Sequence, residues 1–499
     1  MPPSVILTGR SLTISEVVAV ARDGARVEVD PDAAARADTS RAAVERLLAT
    51  GAAIYGVNTG FGKLANVRIP PDQLLELQRN LIVSHVSGVG DPLPADVVRA
   101  VMLLRANVLL RETSGVRSAV PRHIAAMLDA GIHPVVPEQG SVGASGDLAP
   151  LAHIAWAMMG GGEVTREAGR VSTAEALEAA GLAPLEFQPK EGLAFINGTQ
   201  VQTAILALVV HDALNLWRTA VGAAAMSLEA LMGTPVPFDE RIHEARPHPG
   251  QRRTAELLRE LLADSEIRES HRENDPRVQD AYSLRCTPQI LGAVADAVDY
   301  ALSVVQVELN ASTDNPLVFG DEILSGGNFH GQPVALALDM LAIALTTLAG
   351  LAERRIDRLL NPDLSQGLPP FLATHAGLHS GLMMMQIAAA ALVAESRTLS
   401  TPASVQSIPT DANQEDVVPM GMAAAWKGLR VLHNAQRVVA GELIAAAQAL
   451  EYRKPLRPAP GVARLHARVR DLVEPLAGDR PLTPDIERVA ALVAREALV

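Results

Sequence analysis

Apolar residues recur at helical spacing through most of this chain, and the helical stretches lengthen past residue 200. Five stretches, at about 199–232, 287–310, 333–361, 376–400 and 420–451, are dominated by Ala and Leu. Each is bounded by Pro or Gly, as at Pro235, Pro288, Pro333, Pro369, Pro370 and Pro402. Helices of about 25 residues are predicted there, each about 38 Å long at about 1.5 Å per residue. Before residue 200 the elements are shorter. Val/Ile alternation at 4–8 and 26–30 predicts strands. Thr13 with Glu16 reads as a capping box opening a helix at Ile14. Further helices are predicted at about 39–51, 71–87, 95–110 and 117–130. The expected fold is mainly α: an elongated bundle of long helices with a smaller mixed N-terminal part. The expected division is 1–198 and 199–499, the latter ending in charged, Pro-punctuated surface helices from Pro455.

An apolar fraction of 48% and a charged fraction of 20% suit a soluble globular protein. Several helices are apolar on all sides, which calls for burial or for oligomerisation. Stretches such as 381–394 are expected to be too short or too interrupted to span a bilayer. The net charge is −13, and the Lys and Arg are scattered, which excludes nucleic acid or an anionic membrane as the main partner. Cys286 is the only cysteine, so no intrachain disulfide forms, and a cytoplasmic location is expected. The first four residues lack a basic region, and the apolar run after them is too short for a signal peptide.

The chemistry concentrates in glycine-rich loops. Residues 137–153 hold Gly140, Gly143 and Gly146 around the triplet Ala144, Ser145, Gly146, and feed a helix near Leu151. Taken alone, this is a tight turn or a loop that approaches something closely. Tyr55 opens a second such loop, 55–62, and Phe329 sits in a third, 325–331. Asn197, before a long helix, reads as a cap or turn residue. Gln279, Tyr282 and Arg285 are spaced i, i+3, i+6, which places them on one side of a helix or turn. Arg285 is either a surface ion-pair partner or a fork for a carboxylate. His85 follows Ser84 on a predicted amphipathic helix, where a satisfied, partly buried role is the plain alternative. His375 and His379 stand at i, i+4, but no third metal ligand is identifiable, and the pair His243 and Glu244 is likewise incomplete. No phosphate loop or dinucleotide fingerprint is present.

Together these stretches resemble the aromatic amino acid ammonia-lyase family, from Tyr55 to about Met420. The resemblance implies a histidase/fumarase-like helical fold and a homotetramer whose active sites are shared between chains. It implies that Ala144, Ser145 and Gly146 cyclise into 4-methylidene-imidazol-5-one, with no metal. The residue types fit that closure. The Gly146 amide attacks the Ala144 carbonyl with least hindrance, and the Ser145 hydroxyl leaves as water. Asp147 is implied to assist.

By the same resemblance Tyr55 removes the substrate β-proton, and Asn197 and Tyr282 stabilise charge or position groups at the cofactor. Arg285 clamps the carboxylate, with Gln279 beside it, and Phe329 lies against the cofactor. His85 after Ser84, and Glu415 in the run 413–416, match the members that act on histidine. A carboxylate accepts an imidazole N–H, which a phenyl ring does not offer. The implied reaction is loss of ammonia from L-histidine to give trans-urocanate, the first step of histidine degradation. The same chemistry on phenylalanine or tyrosine, and a 2,3-aminomutase, are the alternatives. Two positions depart from the family: Gln332 where Glu is usual, and Val417 where the histidine enzymes usually carry His.

Overall fold

Local cap chemistry sets the first elements. In the computed structural model, which describes residues 4–166, 169–275 and 277–499, Thr13 and Glu16 make the reciprocal bonds of the expected capping box, and the helix Ile14–Arg22 follows. Residues 1–3, part of the stretch read for a leader, lie outside the described residues. The strands Ser4–Leu7 and Arg26–Val29 form where alternation predicted them and pair in parallel. The next helix starts earlier than expected, at Pro31 rather than 39. Asp30 caps it by accepting the Ala33 amide at 2.7 Å, and Pro31 occupies the first turn, where its missing N–H costs nothing.

The chain is mainly α-helical and groups into two compact units. One unit joins the described residues up to Leu208 with Leu302–Asp339 and Pro402–Trp426. The other joins Val209–Ala301, Met340–Thr401 and Lys427–Val499. This grouping is interleaved along the chain, unlike a single cut at 198. The change in helix length that suggested the cut is present, because Gln200–Ala230 is a 31-residue helix.

The first unit holds the helices Leu74–His85, Ala95–Leu109, Ala119–Asp129, Leu148–Met158 and Glu191–Ile196. Ala95–Leu109 is buried almost all round, including Arg105 and Asn107. Asn107 meets the demand to satisfy its amide by accepting from Gly9 at 3.0 Å and donating to the Leu309 carbonyl at 3.0 Å. A hairpin, Leu317–Phe319 with Glu322–Leu324, places Val318 in a cluster with Val44, Ile54 and Val57.

In the second unit the buried Arg355 guanidinium grips both oxygens of the buried Glu442 carboxylate, at 2.5 and 2.8 Å. Ser227 donates to the same carboxylate at 2.7 Å. Removing one member would strand a buried charge. The helix expected over 376–400 begins only at Met383. The Asp479 carboxylate accepts the Ser380 and Gly381 amides at 2.9 and 3.0 Å and holds that stretch out of the helix. His375 and His379 therefore sit on a turn, with ring centroids 6.1 Å apart.

One expectation is corrected by length and composition. Gln200–Ala230, Thr287–Glu308 and Gln332–Leu360 are each long and apolar enough to cross a membrane. For two of them burial within the chain accounts for the apolarity, since 78% and 67% of their most apolar segments are covered. Only 39% of that segment of Thr287–Glu308 is covered.

Candidate active site

The glycine loop is pinned on both sides of its triplet. The strand pair Val89–Pro92 with Pro137–Gln139 leads into it, and the helix Leu148–Met158 leads out. Ahead of the triplet, the Gly143 amide donates to Ser141 Oγ at 3.0 Å, and its carbonyl accepts from Gly331 at 3.1 Å. After it, Gly146 bridges to Gly198, and the Asp147 amide donates to the Gly198 carbonyl at 2.7 Å. Gly146 has φ +74°, and a Cβ there would lie 2.3 Å from the Gly198 oxygen, so only glycine fits.

Asp147 is fully buried. It accepts the Val201 and Gln202 amides at 2.9 and 3.0 Å, at the start of the helix Gln200–Ala230, and the Ser141 hydroxyl at 3.0 Å. Burial pushes its carboxyl up to about 6, against the pull of these donors. The side chain thus fastens the end of the loop to the start of a long helix.

Asn197 ends the helix Glu191–Ile196 and donates through Nδ2 to the Ser145 carbonyl at 2.6 Å. Its Oδ1 is buried and has no hydrogen-bond partner among the described residues. Behind it, the buried Arg105 guanidinium donates to the carbonyls of Asn197, at 3.2 Å, and Ala194, and to the Gln200 side chain. Burial lowers Arg105 to about 10, so the group stays cationic near neutrality.

A cavity of about 600 Å³ in this first unit brings together Tyr55, His85, Ser145, Asn197, Phe329 and Glu415. Tyr55 Oη accepts the Gly62 amide at 3.2 Å. His85 Nδ1 lies 2.7 Å from the Leu81 carbonyl, so Nδ1 carries a proton and donates to it. Ser145 Oγ donates to Glu415 at 2.5 Å, and Thr410 donates to the other Glu415 oxygen. A neighbouring cavity of about 430 Å³ shares Tyr55, Ser145, Phe329 and Glu415, and adds Ala144 and Val417. The Val417 carbonyl accepts from His330 at 3.0 Å, whereas Gln332 is outside both walls and donates to the Ser404 carbonyl at 3.3 Å.

Gln279, Tyr282 and Arg285 belong to the second unit and line neither cavity. The helix there is only Tyr282–Arg285, so Gln279 lies ahead of it. Beside Gln279, Asp280 accepts the Thr234 amide at 2.7 Å and pairs with Arg277 at 3.3 Å. Arg285 stacks over the Tyr282 ring at 4.7 Å with its Nε buried and unpartnered, and Tyr282 is 68% exposed.

Asn315 and Asp411 are among the polar cavity residues that escape the sequence reading. Asn315 lines both cavities and holds the third glycine loop, accepting the Gly326 amide at 2.7 Å. Asp411 lines both as well, and its φ of +46° begins a left-handed run continued by Ala412 and Asn413. Such residues cost on the order of 1–3 kcal/mol each and persist where surrounding structure holds them.

The sequence profile described as aromatic amino acid lyase matches residues 12–471. A curated histidine ammonia-lyase of Koribacter versatilis (strain Ellin345) is 52% identical over 501 residues, covering 98% of this chain and 97% of its own. Among solved structures, a tyrosine aminomutase from Streptomyces globisporus aligns with a TM-score of 0.94 at 41% identity, covering 99% of this chain and 97% of its own. A histidine ammonia-lyase from Trypanosoma cruzi aligns at 0.91 and 40% identity, covering 99% and 94%. With the profile spanning nearly the whole chain and relatives alike over their full length, this chain belongs to the aromatic amino acid lyase family.

Proposed function

We propose that the chain eliminates ammonia from L-histidine to give trans-urocanate. The observation that carries this reading is one cavity wall holding His85 and Glu415 together with Ser145. The Glu415 carboxylate, in the same wall as His85, is an acceptor for a ring N–H, which phenylalanine lacks. The fold likeness to a tyrosine aminomutase does not decide the substrate, because lyase and mutase share the fold. The 52% identity to a histidine enzyme over nearly the whole chain supports histidine.

The triplet fits the family's methylidene-imidazolone. Gly146 is held where no side chain fits, and Asn197 donates to the Ser145 carbonyl oxygen, which such a ring retains as its own carbonyl. Closed from Ala144, Ser145 and Gly146, that group supplies an electrophile for the substrate amine. The remaining work falls to side chains. Tyr55 takes the β-proton, with its oxygen held in place by the Gly62 amide. Asn197 fixes the Ser145 oxygen. Phe329 and the leucines of the wall exclude water. Asp147 keeps the loop against the helix Gln200–Ala230.

The cavity wall carries Asp411 and Glu415 but, among the described residues, no Lys or Arg to meet a substrate carboxylate. In this reading Arg285, with Gln279 and Tyr282, comes from another copy of the chain in a homotetramer with shared sites. Leu336, Met340 and Ile343, at i, i+4, i+7 and each more than a third exposed, give the apolar face such an assembly covers. A cytoplasmic location goes with it. The test is a panel of histidine, phenylalanine and tyrosine with products identified by absorbance and mass. Urocanate and ammonia from histidine are expected. Preferred turnover of phenylalanine or tyrosine, or a β-amino acid product, overturns the histidine-lyase reading.

A further inference from the structure

Asp411 sits between the two working parts of the cavity. Its Oδ2 accepts the Lys63 amide at 3.0 Å. The same carboxylate presses on Gly62, where an added Cβ would lie 2.1 Å from Oδ2. Gly62 is the residue whose amide donates to Tyr55 Oη. So one acidic side chain holds the short turn Gly62–Leu64 that in turn holds the phenol.

The segment that presents Asp411 is strained and closed. Asp411, Ala412 and Asn413 have φ of +46°, +52° and +64°, a left-handed run without glycine. It is closed at its base by paired backbone bonds between Thr410 and Glu415, at 3.0 and 3.3 Å, and by the Thr410 hydroxyl on the Glu415 carboxylate. The far end of the loop is Glu415, which accepts Ser145 Oγ. A single six-residue loop therefore touches the turn whose Gly62 amide binds the phenol at one end and the triplet's serine at the other.

We propose that Asp411 is a positioning residue, whose carboxylate, set by the left-handed turn, fixes the Gly62–Lys63 backbone and through it the hydroxyl of Tyr55. The proposal rests on the reading of Tyr55 as the base. It predicts that the hydrogen bond rather than the charge is what matters, because the contact is to a backbone amide.

The test compares Asp411→Ala, Asp411→Asn and Tyr55→Phe in the full-length protein. Hydrogen exchange of the peptide around 55–65, kcat and KM on histidine, and intact mass are measured for each. Asp411→Ala is expected to expose the Gly62 and Lys63 amides to faster exchange. It should also lower kcat by about 10- to 100-fold, the range for a misplaced group, with KM within about threefold. Its mass should match that of the unsubstituted protein, apart from the substitution. Asp411→Asn keeps an acceptor for Lys63 and is expected to restore both exchange and most of kcat. Unchanged exchange at 62 and 63 in Asp411→Ala, or an Asp411→Asn variant as impaired as Asp411→Ala, overturns the proposal. If Tyr55→Phe keeps full turnover, the base assignment falls and takes the catalytic half of the proposal with it. The exchange result then still decides the contact on its own.

Discussion

Glu415→Ala isolates what the cavity does for an imidazole. In the structure one Glu415 oxygen accepts Ser145 Oγ at 2.5 Å and the other accepts Thr410. The carboxylate lies in the same wall as His85. Without it, a histidine ring N–H enters the cavity with one acceptor fewer, and an unpaired buried donor costs about 1–3 kcal/mol. That translates to a loss of roughly 5- to 150-fold in kcat/KM for histidine. If Glu415 also moves a proton, the loss is larger. A phenyl ring has no N–H to strand, so any turnover of phenylalanine should stay level or rise. The assay is steady-state kinetics on histidine, phenylalanine and tyrosine, following product absorbance. Intact mass is read alongside, because the same carboxylate touches the serine of the triplet. Unchanged histidine turnover, or an equal loss on histidine and phenylalanine, refutes the argument that Glu415 recognises the ring.

Other outcomes follow from single contacts. Gly198→Ala places a Cβ 2.4 Å from Arg105 Nη1 and 2.4 Å from Gln200 Oε1. We expect turnover to fall more than about tenfold as the bridge to Gly146 opens, with the helical circular dichroism retained. Glu229 is buried and raised from 4.5 to about 7 by that burial, against bonds donated by Ser265 and the Ala459 amide. Its neutral form therefore contributes stability that is whole below about pH 4.5 and is lost as pH rises through about 7. Glu229→Gln should remove about 3 kcal/mol of that fall, read as a flatter denaturant midpoint between those values; an unaltered slope rejects it. Borohydride should quench turnover by reducing the electrophile, and activity that survives saturating reagent counts against one.

Local signals were legible in the sequence, and three-dimensional ones were not. The capping box at Thr13 and the loop around Ser145 depend on neighbours within a few residues, and both stand where they were read. Arg105 looks like any arginine of an amphipathic helix, because nothing in one dimension reveals that Ala95–Leu109 is buried all round. Asp411 and Ala412 resemble ordinary turn residues, and their left-handed run lies between the Thr410–Glu415 backbone pair and the Asp411 contact with Lys63. The hairpin Leu317–Leu324 carried short apolar runs on either side of a Gly320-Asp321 turn, signals overlooked beside the glycine loop that follows. Spacing alone suggested a side shared by Gln279 and Arg285, and it could not show that the helix there runs only over Tyr282–Arg285.

The central claim is that Ala144, Ser145 and Gly146 close into the electrophile that the reaction uses. Intact mass of the purified protein, beside Ser145→Ala, tests it most directly. The account predicts a wild-type chain lighter than its translated sequence by two waters, and a folded, inactive Ser145→Ala chain without that loss. A wild-type chain at its full translated mass that still turns histidine into urocanate would contradict it.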